Sequence, residues 1–163
     1  MTITLDKRTG YKMMRNQGHY YIDVLIVSEG GTDDDYETFM YDTGAYITVL
    51  CRNVYETHKF DALPRFAFPM KGYGGGVSPG VVYTIPGLKI GRRLLTDVWA
   101  YTPDSYELEE NILGANVIEY FMTVQDNDDD YIYFLDNANP KPYYDERTKV
   151  SLACGDVFAL GDT

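Results

Sequence analysis

"ETFMYDTGAYITVL", Glu37 to Leu50, sets an acid in the middle of a run that otherwise reads as β-strand. Phe39, Met40 and Tyr41 lead into Asp42, and Ile47, Val49 and Leu50 follow it. Aromatic and β-branched residues of this kind suit a pleated, half-buried backbone. A carboxylate in such a run costs free energy unless a partner satisfies it or a reaction uses it. Asp42 is followed at once by a hydroxyl, Thr43, and by Gly44, a triplet that points to chemistry more than to packing.

Outward from this stretch, strand signals dominate. His19–Ser28 and Tyr36–Tyr41 flank the turn-rich "EGGTDDD" and read as a hairpin. After the acid, "GAYITVL" continues as a strand, and Cys51–Thr57 reads as a short helix or a turn. "LPRFAFPMKGYGGGVSPGVVYTIPGLKIG" carries Gly72, Gly74, Gly75, Gly76 and Gly80 between apolar runs, the pattern of a glycine-rich hairpin or loop. "VVYTIPGLKIG" and "LLTDVWAYTP" read as two further strands. The best helix candidate lies within Asn111–Phe121, starting near Gly114, with Val117, Ile118 and Phe121 at helical spacing. "FMTVQDNDDDYIYFLD" predicts a hairpin closed over Asn127–Asp130, and Asn137–Thr163 reads either as an extra strand or as an arm. No repeat and no second domain is legible, so one mostly β domain is expected over 1–163.

Bulk properties narrow the function. The 163 residues are 45% hydrophobic and 24% charged, as in soluble globular chains able to bury a core of their own. No apolar run approaches the roughly 18 residues of a membrane span, and "MTITLDKRTGYKMMRNQG" contains no apolar stretch of the signal-peptide kind. A cytoplasmic protein without a membrane partner is therefore expected. The net charge of −11, from 25 acids against 14 bases, argues against a nucleic-acid partner, which needs a basic face. Cys51 and Cys154 lie far apart with no CxxC and read as reduced thiols. Sixteen tyrosines suit sheet positions with one wet end.

Other chemistries fit the residues poorly. Nucleophilic catalysis needs a base in reach of a Cys or Ser. The Cys51 and His58 pair has no supporting motif and reads as a half-buried thiol and a surface imidazole. Zinc would need more His and Cys than the chain offers. "DNDDDYIYFLDN" starts like a calcium loop, but Tyr131 stands where that loop requires Gly, and Asn137 where it requires Glu. "GYGGGVSPG" lacks the Lys-Ser/Thr of a phosphate-binding loop. No metal and no cofactor is expected.

Asp42-Thr43-Gly44 remains. "MYDTGAYITVL" resembles the first signature of the retroviral-type (retropepsin-like) aspartic proteases: an apolar strand, D-T/S-G-A, then an apolar pair. "ILGANVI", Ile112 to Ile118, is similar at every position to the family's second signature, I/L-I/L-G-x-N/D followed by two apolar residues. Between the two, "KGYGGGVSPGVVYTIPGLKIG" occupies the place of the family's glycine-rich flap and the strand after it. The resemblance spans about Tyr20 to Leu135, leaving 137–163 as a C-terminal extension. It implies a closed β-barrel with one short helix in the C-terminal half and a flap hairpin, and an aspartic endopeptidase acting on peptide or protein substrates. Departures are the bulky Tyr46 just beyond the acid and the tail.

Such chemistry uses two carboxyls sharing one proton, one activating water and one protonating the substrate. This chain holds a single D-T-G, so the resemblance implies a homodimer with Asp42 contributed twice. It implies that Thr43 braces the two loops across the axis and that Gly44 brings its N–H to the carboxylate. Ala45, Ile112, Leu113 and Gly114 would support the loop. Gly72, Tyr73, Gly74, Gly75 and Gly76 would form the flap over the substrate, with Tyr73 as its aromatic. The competing expectation is a retropepsin-like domain that binds peptides, or serves structurally, without turnover.

Overall fold

The structure is a computed structural model that describes residues 4–27, 34–71 and 77–138. A 3-10 turn at Lys7–Thr9, capped by the Asp6 carboxylate on the Arg8 N–H at 3.0 Å, leads into β1 (Gly10–Lys12) and β2 (Met14–Asn16). Gln17 and Gly18, at φ of 51° and 82°, turn β2 back into β3 (His19–Val27), as two-residue hairpins require. β3 pairs antiparallel with β4 (Asp34–Tyr41), Tyr21 opposite Met40 and Val27 opposite Asp34, so the expected hairpin forms. Its turn, 28–33, is outside the described residues. Past the Asp42 loop come β5 (Thr48–Val49) and α1 (Arg52–Thr57), the latter settling the helix-or-turn reading as helix.

Two short strands, β6 (Phe66–Ala67) and β7 (Met70–Lys71), precede β8 (Val77–Ser78). β7 and β8 pair antiparallel, Met70 opposite Ser78, and are the arms of the glycine-rich hairpin. Its tip, with Gly72, Tyr73, Gly74, Gly75 and Gly76, lies outside the described residues, as does the tail 139–163. The long strands β9 (Gly80–Ile90) and β10 (Arg93–Pro103) meet at Gly91, whose φ is +59°. A Cβ on Gly91 would lie 2.7 Å from the Phe134 carbonyl oxygen, so both conformation and space demand glycine. β11 (Asn111–Leu113), α2 (Ala115–Ile118), β12 (Met122–Asp126) and β13 (Tyr131–Leu135) complete the order. The helix starts where its pattern places it, with Gly114 as N-cap, and ends at Ile118, short of Phe121, while Asn111–Leu113 before it join the sheet.

Six strands close a barrel in the order β3-β4-β11-β5-β10-β9, and β9 returns to β3 with Leu25 opposite Lys89. β2 and β6 extend its two ends, while β1, β13 and β12 form a separate three-stranded sheet. Alternation along each strand sorts the side chains. On β3, Ile22, Val24 and Ile26 face inward with no exposed surface, while Asp23 between them is exposed. These residues join Phe39, Ile85, Leu88 and Leu113 in the main core. A second core gathers Met40, Ala45, Ile47, Val49, Phe68, Met70, Val82, Tyr101 and Ile112. Neighbours on one strand serve opposite cores: Phe39 and Met40 on β4, Ile112 and Leu113 on β11.

Candidate active site

Asp42 sits where β4 ends, and it is only 9% exposed. Its Oδ1 accepts the Gly44 N–H at 2.9 Å, and the Ala45 N–H reaches back to the Asp42 carbonyl at 3.3 Å. Among the described residues no cation pairs with it. Thr43 next to it is exposed, and among the described residues its hydroxyl has no hydrogen-bond partner.

The two sequence signatures lie side by side. β11 enters between β4 and β5, parallel to β4 with Leu113 opposite Tyr41, and antiparallel to β5 with Ile112 opposite Val49. The Asp42 N–H donates to the Leu113 carbonyl at 3.2 Å, and the Ala115 N–H donates to the Ala45 carbonyl at 2.7 Å. Both limbs of the acidic loop are thus tied to "ILGA". Gly114 allows the approach, since a Cβ there would lie 2.5 Å from the Ile47 carbonyl and 2.8 Å from the Thr48 nitrogen. A backbone neighbour cannot swing aside as a side chain could.

A polar network behind the loop carries no role in the sequence reading. The Asn116 carbonyl oxygen accepts from the Thr48 N–H and from the Thr48 hydroxyl, both at 2.9 Å, and its amide donates to the Trp99 carbonyl at 3.0 Å. The Thr48 hydroxyl also accepts the Gly114 N–H at 3.2 Å, so this fully buried group has both of its functions met. Asn111 does similar work one strand over, accepting from the Cys51 N–H and donating to the Thr38 carbonyl, each at 3.0 Å. The available signal was the N/D position of the second signature, occupied by Asn116. At the outer end of β11, Tyr21 donates to Glu110 at 2.8 Å. Burial first, then Glu110, pushes its hydroxyl up to about 12.

The discarded chemistries look different in three dimensions. His58 is buried, not the surface imidazole its polar surroundings suggest, because it bonds Glu37 at 3.0 Å and stacks on Phe60. Cys51 is a buried free thiol. In the turn before β13, Asp126 caps the N–H groups of Asp128 and Asp129 at 3.1 and 3.3 Å, the ordinary use of acids in a tight turn. Among the described residues no His, Cys, Asp and Glu cluster could hold a metal.

No family model and no curated protein matches the sequence. Among solved structures the chain is similar to a retropepsin-like aspartic protease from Rickettsia conorii, with a TM-score of 0.54 and 20% identity, over 76% of this chain and 87% of that one. The closed six-stranded barrel is thus a retropepsin-like fold, as the resemblance implied, with α1 in addition to the expected short helix α2 among the described residues. At this identity the likeness speaks for the fold, and the chemistry has to be argued from Asp42 and its surroundings.

Proposed function

We propose that this protein is a homodimeric aspartic endopeptidase, with the Asp42 loops of two copies meeting across a two-fold axis. The observation that carries the reading is the state of Asp42 itself. It is a buried carboxylate without a cation, on a loop fastened at both limbs by the "ILGA" segment. Its unmet acceptor capacity suits a second acid holding a proton. Two carboxyls about 3 Å apart cannot both ionise easily, so the pair keeps one proton between them and titrates as a unit.

Water between the acids then loses its proton to the charged carboxylate as its oxygen bonds to the peptide carbonyl carbon. The protonated acid gives its proton to the carbonyl oxygen. Collapse of this tetrahedral adduct breaks the carbon–nitrogen bond: one acid gives its proton to the leaving nitrogen while the other takes the proton of an adduct hydroxyl, so the pair again holds one proton. The free hydroxyl of Thr43 braces the loops against each other. The hairpin whose arms are β7 and β8 closes over an extended peptide through Gly72–Gly76 and Tyr73, excluding water and adding main-chain hydrogen bonds.

Incubation of wild type and Asp42→Asn with a peptide mixture at about pH 4 to 7 tests this. Cleavage by wild type alone is expected, with specific activity falling on dilution as the dimer dissociates. Cleavage by both proteins, or by neither at high concentration, would sink the protease reading. Binding of peptides without turnover would establish the domain as a peptide-binding module.

A further inference from the structure

The Asp42 loop and the glycine-rich hairpin stand on a common residue, Tyr101 of β10. Its backbone is registered beside Val49 on β5, and its carbonyl accepts the Leu50 N–H at 3.0 Å, which fixes it to the strand leaving the Asp42 loop. Its side chain is wholly buried in the second core with Ile47, Phe68 and Met70. From there the hydroxyl donates to the Ser78 carbonyl, on the returning arm of the hairpin, at 2.7 Å. Gly80 lies against the same ring: a Cβ at 80 would collide with Cε2, Cζ and the hydroxyl oxygen. Backbone bonds from Phe68 to Gly80 (2.9 Å) and from Asp104 to Pro79 (3.0 Å) complete the base of the hairpin.

We propose that Tyr101 is a positioning residue of the cleft, setting through Leu50 and Ser78 the height at which the hairpin arms stand over the Asp42 loop. The proposal rests on the reading of that loop as the site of peptide cleavage. A rigid aromatic ring is suited to the task, because it transmits displacement of one partner to the other with only two side-chain torsions to absorb it. The Gly80 contact removes the room in which the ring could tilt. A hairpin set too high loses main-chain bonds to an extended peptide, which shows as weaker binding before it shows as slower chemistry.

Tyr101→Phe keeps the ring against Gly80 and removes only the donor to Ser78. Amide exchange of Met70–Lys71 and Val77–Ser78 is expected to quicken about tenfold, the scale of one lost buried hydrogen bond, with Thr48 and Val49 unchanged. KM for a cleaved peptide should rise about five- to tenfold while kcat stays within about twofold. A merely structural residue would quicken exchange throughout the barrel and lower the thermal midpoint without separating KM from kcat. Gly80→Ala, which pushes the ring instead, should shift both readings in the same direction. Wild-type exchange at Val77 and Ser78 in Tyr101→Phe overturns the proposal whatever the enzyme does, and so does an unchanged KM in an active enzyme whose hairpin exchange has quickened. If exchange quickens locally but wild type cleaves no peptide, Tyr101 stands as the hairpin's anchor and it is the protease reading that fails.

Discussion

The main core fills the barrel with Ile22, Val24, Ile85 and Leu88, none with exposed surface, and its Tyr83 hydroxyl is met by Thr102 at 2.7 Å. The second core is smaller and borders the groups to which the proposed function gives chemical work. Met40 lies two residues before Asp42, Ala45 and Ile47 follow it, Met70 belongs to the hairpin, and Tyr101 spans from one to the other. β4, β9, β10 and β11 contribute to both cores, their neighbouring residues sorted by alternation, while β3 and β13 serve the first and β5 and β7 the second. A substitution in the first core away from "ILGA", as at Leu88, should be felt as stability alone, whereas one in the second should be felt as stability and as the geometry of the Asp42 loop together.

Asp42→Asn is the sharpest break of that rule, because the two effects should run in opposite directions. Turnover should fall by at least about a thousandfold, with both members of the proposed acid pair replaced. Thermal midpoint should hold or rise, since a buried charge without a cation is removed. A folding defect in this variant would mean that Asp42 is structural. In the main core, Leu88→Ala should cost about 2–5 kcal/mol by denaturant titration while leaving KM and kcat of the folded enzyme as in wild type. Altered kinetics there would show the two cores to be coupled.

Asn116→Ala should be milder in stability, about 1–3 kcal/mol, because Thr48 and the Trp99 carbonyl lose a shared partner. It should nevertheless lower kcat, as the "ILGA" bracing loosens. The smallest effect is alkaline. Burial pushes the Tyr83 hydroxyl well above its ordinary value near 10. Unfolded chains ionise this group above about pH 10 and the folded chain does not. Its stabilising share is therefore complete below that pH and is lost as pH climbs toward the folded value, by up to about 1.4 kcal/mol per pH unit. Tyr83→Phe should flatten that slope by about one proton in pH-dependent unfolding.

The parts legible in the sequence are those whose cause is local. The hairpin of β3 and β4, that of β12 and β13, and the β9–β10 pair follow from alternation and turn residues. Asp42-Thr43-Gly44 and "ILG" are legible as short ordered motifs, and the structure sets them side by side. β1 and β2 were not legible: each is three residues long, β2 is exposed throughout, and neither alternates. The Asn116–Thr48 bonds join positions 68 residues apart, and nothing near either residue announces the other. The strand Asn111–Leu113 was not legible for the same reason, since only the gap between β4 and β5 makes it a strand, whereas the helix start near Gly114 was.

β1 pairs with β13, Gly10 opposite Tyr133 and Lys12 opposite Tyr131. In synthesis, β1 emerges before every strand of the barrel and β13 after all of them. Contacts so distant along a chain are slow to form, since the intervening loop must first be closed. The pairing of β1 is therefore among the last of the described contacts to form. On a translating ribosome that edge waits until Leu135 has cleared the exit.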